Sequence, residues 1–224
     1  MKIPTDIQTA PNLSFSPSPN VLVPIPLPDF DIGAVVHDAQ QTQYFAAVAC
    51  ELATSTGVSP PLLDSLRQLA DLAHWKANQM SAAVLDATEF QQRVQVISDQ
   101  IQNSIPSVPF DVHGHGYADI SSSLFEINRT ACILLLDGIC TGLGSSSPVL
   151  AEGVKEVQTQ VNAISFLPNV PPQQYLFATC IAKSFAADID MSFMNTLLAP
   201  INDPSIETTA QLLLAMAHCR NAVW

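Results

Sequence analysis

From about residue 34 onward, apolar residues recur three and four positions apart, the period of a helix that buries one face. A first helix is expected over 34–54, with Tyr44, Phe45, Val48 and Leu52 on its apolar side. A second opens at Ser59-Pro60-Pro61 and carries Leu62, Leu66, Leu69, Leu72 and Ala73. A third, over 87–104, places Phe90, Val94, Ile97 and Ile101 at the same spacing. Further helices are expected over 124–140, 148–165, 172–187, 191–199 and 204–222. The 148–165 segment has the cleanest stripe: Leu150, Val154, Val157, Val161 and Ile164.

The polar residues between these runs read as punctuation. Ser59-Pro60, Ser147-Pro148 and Asp203-Pro204 each set a polar N-cap before a proline at the first helical position. Asp86 with Glu89 and Ser123 with Glu126 have the spacing of capping pairs. Gly142-Leu-Gly144-Ser-Ser-Ser-Pro reads as a helix end, a connector and a new N-cap. It lacks the lysine of a phosphate-binding loop. The stretch 105–119, with two prolines and two glycines, breaks the helical period and is expected to be a loop or short strand.

The first 32 residues follow a different pattern. Seven of the 17 prolines fall there, alternating with Leu22, Val23, Ile25, Leu27 and Phe30. Proline excludes a helix, and the apolar residues are unlike those of a polar disordered tail. An extended arm is expected, lying in an apolar groove of the same subunit or of a neighbour. Trp224 is expected either to dock on the core or to anchor a partner. The fold class that follows is all-α: an irregular helical bundle with a Pro-rich N-terminal arm and a short non-helical mid-chain segment. The arm covers 1–32 and the bundle 33–224, with a possible sub-boundary near 105–120.

Composition shifts the picture toward contact with other proteins. Only 12% of the residues are charged, against roughly 25% for an average soluble domain. Mean hydropathy is +0.25. Apolar runs such as Ala131 to Leu136 fall far short of the ~20 residues of a membrane span. No signal-peptide pattern opens the sequence, so an intracellular or virion setting is expected. A net charge of −12, with 8 scattered Lys and Arg, disfavours a nucleic-acid surface. The five cysteines form no CxxC pair and read as small buried hydrophobes in a reducing compartment.

Candidate chemistry is sparse. Asp111, His113 and His115 would project to one side of an extended segment and could form half of a divalent-metal site. Their Asp-x-His-x-His spacing resembles the opening of metal-dependent amidohydrolases. The later ligands and the barrel that family needs are missing, which rejects the assignment. Asp71 and His74 share a helical face, but the glutamates of a di-iron bundle do not accompany them. The triplets at Asn12 and Asn128 match a glycosylation acceptor and carry no weight without a signal peptide. No cofactor is expected. The reading that follows is a non-enzymatic structural subunit of a coat, filament or accessory complex, self-associating or joined to other subunits. Its interface would include Leu22, Val23, Ile25, Leu27, Phe30 and Trp224. The alternatives are a metal-binding protein or metal-dependent enzyme using His113 and His115, and a helical carrier of an apolar ligand.

Overall fold

The periodic stripes become helices almost residue for residue. The computed structural model describes residues 32–106, 115–142, 147–167, 170–186 and 197–221. Among them are seven helices and no strand: α1 (Ile32–Ser55), α2 (Pro60–Ser81), α3 (Ala87–Asn103), α4 (His115–Thr141), α5 (Pro148–Ser165), α6 (Gln173–Phe185) and α7 (Pro204–Asn221). Every residue of the α2 stripe, from Leu62 to Ala73, is buried, and so is every residue of the α5 stripe. Each fully buried aliphatic side chain of this kind contributes ~1.5–3 kcal/mol relative to an exposed one.

These stripes meet around α4, which packs against α1, α2, α3, α5 and α6. α1 lies along α2 and also touches α7, while α5 pairs with α6. Close approach needs small residues. At Gly138 of α4 an added Cβ would lie 2.3 Å from the Phe185 ring, and at Gly153 of α5 it would lie 3.1 Å from Leu134. The Phe185 ring in turn sits edge-on to Phe45 at 5.7 Å, which ties α6 to α1.

The helix boundaries show which polar signals act. Asp86 accepts from the Thr88 and Glu89 amides at 2.7 and 3.1 Å and caps α3. Glu89 does not return the bond expected of a capping pair; it accepts from Arg93 instead. Ser147 accepts from Val149 at the start of α5. Asp203 accepts from the Ser205 amide and hydroxyl at the start of α7, and these bonds hold its carboxyl below the usual carboxylate range. Gly142, at φ +89°, ends α4 in the left-handed conformation that glycine favours.

Three expectations change. α4 begins at His115, so residues 115–119 are helical and Ser123 with Glu126 lies inside the helix rather than capping it. Tyr44 is 64% exposed, and Phe45 beside it fills the core instead. Of the 191–199 helix only 197–199 are described, with Leu197 and Leu198 helical and buried and Ala199 in a turn; residues 1–31 lie outside the described residues.

Candidate functional site

Where α1 turns into α2, the chain makes a polar pocket. α1 stops as Thr56 Oγ1 donates to the Leu52 carbonyl at 2.8 Å and Gly57 takes a φ of +75°. Ser59 then occupies the N-cap of α2, yet its side chain makes no cap hydrogen bond. Facing this turn, α4 supplies Ser121, Leu124, Phe125 and Asn128, spaced three and four apart on one side of the helix. Pro106, after α3, and Gln174, in the first turn of α6, complete the walls of a cavity of about 200 Å³. Asn128 is only 6% exposed. Its Oδ1 and the Ser59 Oγ are both buried and have no hydrogen-bond partner. Among the described residues no lining side chain is charged.

A wider cleft, about 390 Å³, lies between α2 and α3. Its one cation, Arg93, is already engaged. Arg93 pairs with Glu89 at 2.7 Å and stands 4.6 Å from the Trp75 ring centre. Trp75 stacks on Phe90 at 6.3 Å, with the rings 6° from parallel. Three other basic side chains are used in similar ways. Arg67 pairs with Asp64 at 2.7 Å, and Arg129 contacts Glu126 while donating to the Gln102 carbonyl. Lys76 reaches from α2 to the end of α4, where Nζ donates to the Ile139 carbonyl at 2.6 Å. Burial lowers the Lys76 pKa below its ordinary 10.5.

Asp111 and His113 lie outside the described residues, as do Leu22, Val23, Ile25, Leu27, Phe30 and Trp224. His115 is the first residue of α4 and its side chain is not among those described. His74 shares a hydrogen bond with Asn78 at 2.9 Å. Among the described residues no three His, Cys, Asp or Glu cluster in a way that could hold a metal ion. Cys132 and Cys180 are fully buried, and burial pushes both thiols far up; Cys140 rises to about 11. None of these three is a thiolate at neutral pH, the form a cysteine nucleophile needs.

Residues 29–198 match the family model described as the fungal specific transcription factor domain. The chain belongs to this family. Comparison with curated proteins and with solved structures finds no match. Membership of the fungal specific transcription factor domain family overturns the expectation of a coat, filament or accessory structural subunit, and the virion setting with it. That expectation rested on the shortage of charge. The helices show another way to solvate a surface: the exposed side of α3 carries Gln91, Gln92, Gln95, Gln102 and Asn103. Neutral amides there do the work that charge does on most domains. Among the described residues no helix is long and apolar enough to cross a membrane.

Sequence reasoning missed the pocket. Asn128 drew attention only as the head of a glycosylation triplet, a role its burial precludes in the folded domain. A polar residue amid the apolar spacing of α4 was the available signal.

Proposed function

We propose that this chain is the regulatory, protein-contacting helical part of a fungal transcription factor, that it is not an enzyme, and that it does not itself read DNA. The match of residues 29–198 to the fungal specific transcription factor domain carries the proposal. Charge argues against DNA contact by the bundle. Affinity for a phosphate backbone comes from free Lys and Arg. This chain has a net charge of −12, and Arg67, Arg93 and Arg129 each pair with a carboxylate of their own helix. An effect on transcription therefore runs through protein contacts.

Two measurements test this together. The chain is fused to a heterologous DNA-binding domain and assayed on a reporter in fungal cells, and the isolated chain is titrated with duplex DNA at about 50 mM salt, where phosphate contacts are strong. The fusion is expected to change reporter output several-fold over the DNA-binding domain alone, with no DNA binding by the isolated chain. Unchanged output, or salt-sensitive binding of the duplex by the chain alone, overturns the proposal.

A further inference from the structure

We infer that the cleft between α2 and α3 is a docking groove for an extended segment of a partner protein, one that carries an aliphatic residue beside a lysine or arginine. The cleft, about 390 Å³, lies within the ~300–1,000 Å³ of ordinary binding clefts. Its floor is apolar: Leu72 of α2 and Ile97 of α3 are buried there, and Val96 beside them is 64% exposed. Three polar side chains of the lining are uncommitted. Gln68 and Asp71 come from α2 and Gln92 from α3, and among the described residues none of the three makes a hydrogen bond or ion pair.

The chemistry of these three side chains selects the occupant. A glutamine ends in one acceptor and one NH2 donor, the same pair of functions that a peptide unit presents. Glutamines on both walls match the main chain of an extended segment, whose N–H and C=O groups need partners once they leave water. A helix bonds those groups within itself and leaves the glutamines idle. Asp71 sets the charge preference. Arg93, the cation of the lining, is held by Glu89 at 2.7 Å and stands 4.6 Å from the Trp75 ring centre. Asp71 is therefore the lining charge without a counter-ion. A lysine or arginine next to the bound aliphatic residue supplies one, and the net charge of −12 favours the approach of a basic partner.

The groove is also preformed. Trp75 of α2 stacks on Phe90 of α3 with ring centres 6.3 Å apart, and Arg93 lies over Trp75, which ties the two walls together. Little ordering is left for a partner to impose. The inference deepens the protein-contacting reading, and the groove's role in transcription rests on that reading. Binding is measured on the isolated chain, so a silent reporter fusion overturns the regulatory reading and leaves the groove intact, while a failed titration does the reverse.

The full chain is titrated with the peptide Ac-Ala-Lys-Leu-Lys-Ala-NH2 and followed by backbone amide NMR shifts. Saturable shifts are expected at Gln68, Asp71, Gln92 and Val96. The peptides with glutamate in place of lysine, or with glycine in place of leucine, are expected to bind at least about fivefold more weakly. Raising the salt from about 50 to about 500 mM should weaken the lysine peptide. Asp71→Asn is expected to weaken it about threefold, and the Gln68→Ala, Gln92→Ala double variant about tenfold. Asp71, Gln92 and Val96 are exposed, so Asp71→Asn, Gln92→Ala and Val96→Ser should melt with the wild type, and Val96→Ser should still weaken the peptide about threefold. Isopentylamine carries the cation and the aliphatic group without a main chain. Binding of isopentylamine as tight as that of the peptide, an equal response to the glutamate peptide, shifts confined to other helices, or no saturable shift would overturn the inference.

Discussion

At Gly138 two effects compete. A glycine inside a helix costs ~1 kcal/mol relative to alanine, so Gly138→Ala viewed within α4 alone should stabilise the fold. The neighbouring helix reverses the sign. An added Cβ would meet the Phe185 ring at 2.3 and 2.5 Å, and that ring is itself held edge-on to Phe45 at 5.7 Å. Relief requires moving the whole ring, and overpacking of this kind costs ~1–3 kcal/mol. Gly138→Ala is expected to lower the urea midpoint, and adding Phe185→Leu is expected to recover part of the loss. A midpoint at or above wild type would show that α6 yields freely at this point. The sequence could not reveal this constraint, because the clash partner lies on another helix 47 positions along the chain. Asn128 is opaque for the same reason: its unpaired oxygen becomes visible only when α2, α4 and α6 come together.

Single helices, by contrast, were largely legible. The stripes of α2 and α5 are decided by spacing alone, and every residue of each is buried. Errors fell where two local signals conflicted. At the start of α4, Gly114 and Gly116 suggested a loop, yet the helix opens at His115. In α1, either Tyr44 or Phe45 satisfies the apolar period, and the wholly apolar ring takes the core while the tyrosine stays 64% exposed. Caps were legible when an acceptor preceded free amides. Asp86 is the clearest case, and α3 should depend on it. That helix buries fully only Ile97 and Ile101, so its first turn is held by the cap together with Phe90 stacked on Trp75. Asp86→Ala is expected to cost ~1 kcal/mol. Amide exchange at Thr88 and Glu89 should quicken while the amides of α5 exchange as before. Equal quickening in both helices would mean that the cap stabilises the bundle as a unit.

For the whole molecule, apolar spacing established an all-α bundle but not its use, since unrelated proteins share such bundles. The family match spans residues 29–198. Buried chemistry, however, makes a prediction at this scale. Cys132 and Cys180 are fully buried, and burial raises both thiols far above their ordinary 9.0. In the unfolded chain they ionise near that ordinary value. Above pH 9 the unfolded state therefore loses protons that the folded state retains, and stability falls by ~1.4 kcal/mol per pH unit for each such thiol. Cys140, raised to about 11, adds in the same direction. Lys76 opposes them. Its lowered pKa means that the unfolded chain holds the proton to higher pH, so its contribution to stability rises with pH up to about 10.5. One lysine does not offset three thiols. Urea unfolding under reducing conditions should show stability that falls steeply from pH 9 to pH 10. The Cys132→Ala, Cys180→Ala double variant should be less stable at pH 7.5, because it loses buried sulfur, yet its alkaline slope should be shallower by ~3 kcal/mol per pH unit. Parallel slopes in the two proteins would mean that these thiols ionise inside the fold as readily as in the open chain, which their complete burial forbids.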